Sequence, residues 1–139
     1  MNLANSSTEL PGLRVKIDRI VYVHDTDNLP TDAPHAFIYF ITIINLSNNT
    51  VTLKGRRWVI CDQDGSHKVI EGDGIVGKEP NLRPGEKFSY NSYHMSHCNS
   101  IAEGSFHGID ENGIPIFVRI PRFEMNIPST LPETGETIE

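Results

Sequence analysis

The chain has 139 residues, 37% of them apolar and 22% charged, with a formal net charge of −6. This length fits one core that buries about two-thirds of the unfolded surface, so folding requires neither disulfides nor a metal. The acidic balance argues against a general nucleic-acid binder, and the lack of an 18-residue apolar stretch excludes a membrane-spanning helix.

The charge is unevenly spread. All 12 Lys and Arg lie between Arg14 and Arg122, whereas Glu9, Glu133, Glu136 and Glu139 lie outside, so the body is nearly neutral. Cys61 and Cys98 are too few for a disulfide framework, and no secretory signal precedes the body. A cytoplasmic protein with reduced thiols is expected. The three N-x-S/T sequons at Asn5, Asn45 and Asn48 are then chance matches. Residues 131–135 spell a sortase-type Leu-Pro-Glu-Thr-Gly signal, but only four residues follow, so this too is read as coincidence.

Residues 1–11 are polar and aperiodic and read as a flexible leader. Leu13, Val15 and Ile17 then alternate with Arg14, Lys16 and Asp18, and the phase slips near Arg19, which predicts a bulge. Residues 36–46 form an aromatic and β-branched run, apolar on both faces, suited to a central strand. Residues 51–61 make the next strand, bent or bulged at Gly55, and Asp62-Gln-Asp-Gly65 is a turn. Short strands follow at 67–71 and around Phe88 and Tyr90, with a Leu82-Arg-Pro-Gly85 turn between them. Residues 104–109 lead into the turn Asp110-Glu-Asn-Gly113. Ile114, Ile116, Val118 and Ile120 alternate cleanly, and the pattern resumes at Phe123, Met125 and Ile127 after a break at Pro121. Residues 129–139 read as a flexible acidic tail. No helical periodicity stands out, and antiparallel hairpins suffice to connect the strands. The expected fold is an all-β antiparallel sandwich of about seven or more strands spanning residues 12–128, with a small barrel as second choice.

Five motifs in order carry a family resemblance: Phe40-Ile-Thr-Ile-Ile-Asn-Leu-Ser47, Arg57-Trp-Val-Ile60, Gly72-Asp-Gly-Ile-Val-Gly77, Pro84-Gly-Glu-Lys-Phe-Ser-Tyr90 and Glu103-Gly-Ser-Phe106. Together they resemble the ApaG domain family over roughly residues 13–128. The resemblance implies a fibronectin type III-like, immunoglobulin-like sandwich. It also implies no catalytic activity and a link, through the bacterial members' name, to cobalt and magnesium resistance. Eukaryotic members carry the domain as an interaction module in F-box and polymerase-associated proteins, and this chain resembles the stand-alone bacterial members.

Gly72-Asp73-Gly74-Ile75-Val76-Gly77 fits the G-x-G-x-x-G pattern of dinucleotide-binding folds. Two prolines in the next eight residues exclude the helix that would hold a pyrophosphate, so that fold is rejected. Converging backbone N–H groups can still hold an anion without a helix. Gly72, Gly74 and Gly77, with Lys78 and Arg56 supplying charge, form the candidate phosphate site, set against a plain tight loop. Arg56 and Arg57 must face opposite ways in a regular strand, and Lys54 is expected on the face of Arg56.

Trp58 is read as core rather than an exposed contact. His94, His97 and Cys98 suggest a metal, but lack a second ligand pair and are read as loop residues; Asp62 and Asp64 are read as turn chemistry. No nucleophile elbow or paired acid–base carboxylates occur, so neither an enzyme nor a cofactor is expected. The function expected is protein binding, with a phosphate-bearing small molecule at the glycine loop as alternative. Open sheet edges also permit a homodimer.

Overall fold

A computed structural model describes residues 6–25, 27–130 and 137–138. The expectations for residues 1–5 and 131–136, the sortase-like motif included, lie outside them. Among the described residues ten strands run in chain order: β1 (Thr8–Glu9), β2 (Leu13–His24), β3 (His35–Asn45), β4 (Val51–Asp62), β5 (His67–Asp73), β6 (Asn81–Leu82), β7 (Lys87–Ser96), β8 (Ser100–Asp110), β9 (Pro115–Met125) and β10 (Thr137–Ile138). Seven are long and three have two residues each. No helix among the described residues is long and apolar enough to cross a membrane.

Two sheets form the expected sandwich. One has the order β1-β9-β8-β4-β5, with β6 also on β4; the other has β10-β2-β3-β7. The three phase breaks in the sequence are three irregularities in the ladders. They fall between Ile17 and Arg19 in β2, between Leu53 and Gly55 in β4, and at Pro121 and Arg122 in β9, which together stand opposite the single residue Glu103 of β8. Each extra residue restores the inward phase of the apolar side chains beyond it.

Two features add to the expected outline. Part of the expected leader is built into the sheet, since Thr8 and Glu9 pair with Ile116 and Phe117 and Leu10 packs on the core. That pairing is parallel, so the sandwich is not purely antiparallel. At the other end Thr137 and Ile138 pair with Val23 and Tyr22.

Inward residues of both sheets fill the space between them. Tyr39 from β3 meets Trp58 from β4 at 5.0 Å between ring centroids and Phe123 from β9 at 6.0 Å. Tyr90 from β7 meets Phe106 from β8 edge-on at 6.2 Å. Trp58 is 2% exposed, as expected of a core residue.

One buried polar side chain organises the β3–β4 turn. Asn45 is fully buried; its Nδ2 donates to the Asn49 carbonyl at 2.7 Å and to the Leu82 carbonyl at 2.9 Å, while its Oδ1 accepts from the Ser47 N–H and hydroxyl. All four bonding positions are filled, which ties the turn to β6. Asn45→Ala should strand these partners and lower the unfolding free energy by about 2–3 kcal/mol in urea denaturation. An unchanged midpoint would mean that the turn re-forms without it.

Candidate functional site

The glycine loop follows β5 and borders a cleft with Arg56 of β4 and Tyr90 and Ser92 of β7. Its backbone turns back through three positive-φ residues, Gly74 (69°), Val76 (45°) and Gly77 (80°). Ile75 is driven into the core at zero exposure. The Gly74 N–H donates to the Lys54 carbonyl at 2.7 Å, and Ile75 and Lys78 exchange N–H···O bonds at 2.8 and 3.0 Å.

Arg56 is drawn into this loop. By strand alternation it shares the inward face of Trp58 and Ile60, and its cross-strand partner is the buried Phe106. Its Nη1 donates to the carbonyls of Asp73 at 2.7 Å and Gly74 at 3.1 Å. A Cβ on Gly72 would lie 2.7–2.8 Å from the guanidinium, so a side chain there would push the arginine tip aside. The structure thus brings Arg56 to Gly72 and Gly74, while Gly77 and Lys78 sit exposed on the far turn. Lys54 does not share the face of Arg56: the extra residue between Leu53 and Gly55 reverses the phase and leaves Lys54 exposed. Arg56 and Arg57 do diverge, Arg57 lying 3.4 Å from Glu71 on the outer face.

Inside the loop lies a cleft of about 190 Å³ bounded by Tyr39, Arg56, Ile75, Val76, Tyr90 and Ser92. The Tyr90 hydroxyl is buried there without a hydrogen-bond partner among the described residues, and burial raises its pKa. Val76 is a β-branched residue held in the left-handed region, which costs about 1–2 kcal/mol. Val76→Asn, with a residue that tolerates this conformation, should stabilise the fold by about 0.5–1 kcal/mol in urea denaturation. A loss of stability would show that the valine side chain is needed for packing.

His94 departs from the expected loop position. It is buried on the inward face of β7, 4.8 Å between ring centroids from both Tyr39 and Trp58. Burial, with a smaller effect of Lys68, pushes its pKa down to about 4. His97 is exposed, as expected, but it is not isolated. The β4–β5 and β7–β8 turns meet because Asp62 pairs with Ser100 at the end of the β4–β8 ladder. Ligand atoms of Asp62, His97 and Cys98 lie within 4.8 Å of one another, and Asp64 Oδ2 is 3.5 Å from His97 Nε2. The turn carboxylates of Asp62 and Asp64 therefore stand beside His97 and Cys98. Only knowledge of which turns adjoin would have found this cluster.

A third surface runs along β7, the edge strand of its sheet among the described residues. Tyr93 is 57% and Met95 36% exposed on the face away from the core. Tyr93 stands opposite Ile38 and Met95 opposite Ala36, with Phe40 next along β3 beneath the Arg19 guanidinium at 4.4 Å.

Fold and surfaces together define a two-sheet β-sandwich domain with an arginine-braced glycine loop. The ApaG domain model matches residues 25–110. Protein ApaG of Vibrio cholerae serotype O1 is 35% identical over 123 residues, covering 88% of this chain and 96% of the relative. Protein ApaG of Escherichia coli O1:K1 / APEC is 33% identical over 112 residues, covering 80% and 89%. Among solved structures, the X-ray structure of a Northeast Structural Genomics Consortium target superposes with a TM-score of 0.75 at 27% identity, covering 86% of this chain and 90% of the other. A Bordetella pertussis crystal structure described as an ApaA protein gives 0.69 at 25% identity, covering 90% of this chain and all of the other. The chain belongs to the ApaG domain family.

Proposed function

We propose that this chain is a non-catalytic binding domain that docks an extended segment of a partner protein along β7. The supporting observation is the pairing of exposed Tyr93 and Met95 with Ile38 and Ala36 beside a sheet edge that carries no further strand among the described residues. An added strand takes its affinity from main-chain hydrogen bonds at such an edge and its specificity from alternate side chains on the sheet face. Tyrosine is a favoured anchor, since it buries a large rigid surface at low entropic cost. The link to cobalt and magnesium physiology that the family resemblance suggests then runs through the partner.

The test is a selection of displayed random peptides against the folded domain, counter-selected on Tyr93→Lys and Met95→Lys. Expected are peptides with alternating apolar residues whose binding falls at least about tenfold on either variant. No enrichment, or binding indifferent to both substitutions, contradicts the reading.

A second reading places a phosphate-bearing small molecule at the glycine loop. It is favoured by the Val76 backbone, since strain of this kind clusters at ligand sites, and by the unpartnered Tyr90 hydroxyl near Arg56. Against it, the N–H groups of Gly74, Ile75 and Lys78 and the Arg56 Nη1 are already spent on carbonyls. An amide-resolved titration with pyrophosphate, with and without Mg²⁺, should shift residues 72–78 under this reading. No shift at millimolar ligand retires it.

A further inference from the structure

We propose that Asp62, His97 and Cys98 bind a borderline transition-metal dication, with Zn²⁺ as the representative ion and Asp64 as fourth donor. The site is independent of the docking edge and of the glycine loop. A thiol, an imidazole and a carboxylate converge with ligand atoms within 4.8 Å of one another. This mixed sulfur, nitrogen and oxygen set suits zinc, whereas magnesium wants oxygen ligands throughout.

The groups around the cluster are arranged as a support. The Asp62 carboxylate accepts the Ser100 hydroxyl at 2.7 Å on Oδ1, and the Ser66 hydroxyl, which donates to Asp64 Oδ1 at 2.6 Å, lies 3.2 Å from Asp62 Oδ2. Both carboxylates keep free lone pairs, and Ser100 orients Asp62 while Ser66 orients Asp64, as outer-shell partners of metal ligands do. The Ser96 hydroxyl bonds both the N–H and the carbonyl of Cys98, at 3.3 and 2.6 Å, which holds the backbone that presents the sulfur. Asp64 stands 3.5 Å from His97 Nε2. A tetrahedral shell with bonds of about 2.0–2.3 Å needs donors about 3.3–3.8 Å apart, so the donors close by at most about 1 Å. The exposed His97 side chain is free to make that movement. Binding replaces the Cys98 S–H bond by a metal–sulfur bond, and the proton passes to solvent.

The test titrates the reduced protein with Zn²⁺ in competition with a chromophoric chelator and follows alkylation of Cys98, with Cys61 as internal reference. Expected are one Zn²⁺ per chain and at least about tenfold slower alkylation of Cys98 but not Cys61. His97→Ala and Cys98→Ser should each weaken binding at least about thirtyfold with unchanged circular dichroism, Asp64→Asn about three- to tenfold, and millimolar Mg²⁺ should not compete. The absence of saturable binding, or binding that survives both His97→Ala and Cys98→Ser, overturns the proposal.

Discussion

Trp58→Ala should lower the unfolding free energy by about 3–5 kcal/mol, the cost of emptying a large aromatic site in a core. The indole is the junction of the two sheets. Its ring lies 5.0 Å from Tyr39 and 4.8 Å from His94 on one sheet, and 5.9 Å from Phe123 on its own. Its backbone runs against Gly104, where an added Cβ would come within 3.1 Å of the Trp58 Cα. Emptying the site costs the lost burial of the indole and a cavity that the surrounding rings refill only in part. Domains commonly have only 5–15 kcal/mol in total, so the variant is expected at the margin of folding. Urea denaturation followed by far-ultraviolet circular dichroism measures it. Trp58→Phe, which keeps most of the ring volume, should lose much less. A loss below about 1 kcal/mol for the alanine variant would mean that the core is not organised around this residue.

Acid should destabilise the fold through His94. In the unfolded chain its imidazole titrates near 6.5; in the fold burial holds it at about 4. The native state therefore binds fewer protons between these values, and stability present above pH 6.5 is lost as pH falls toward 4. The integrated loss is about 3 kcal/mol. The site gives no relief, because Nε2 is buried without a hydrogen-bond partner among the described residues and Lys68 contributes like charge. His35 acts in the same direction, lowered by burial and then by His24, although its Nδ1 bonds the Tyr22 hydroxyl at 2.6 Å. His94→Phe should remove most of the dependence. Urea midpoints for both proteins between pH 7.5 and 4.5 check this, and parallel curves would assign the acid sensitivity elsewhere.

Side-chain alternation made the sandwich legible because every break in phase is a real irregularity of a ladder. Arg19, Gly55 and Pro121 each lie at or beside a break visible in the sequence. The same rule misled at β7, whose inward face carries Ser92, His94 and Ser96 while Tyr93 and Met95 face out. Polarity there runs opposite to burial, so alternation alone hides His94 from the core and hides the exposed edge as well. Lys54 and Arg56 part company because Lys54 is itself the extra residue between Leu53 and Gly55. The β1 contact involves two residues, too few for any periodic signal. The cluster of Asp62, Asp64, His97 and Cys98 joins turns more than thirty residues apart, and only the pairing of β4 with β8 makes them neighbours. The role of Arg56 as a brace for loop carbonyls was equally out of reach, because charge and spacing do not tell an arginine that binds an anion from one that binds its own backbone.

The most direct measurement of the docking account is amide-resolved NMR of the domain titrated with a peptide selected against it. Saturable shifts are expected along residues 87–96 and at Ile38 and Phe40, with residues 72–78 unmoved. Shifts confined to residues 72–78 would place recognition at the glycine loop and contradict the assignment of the binding surface to β7.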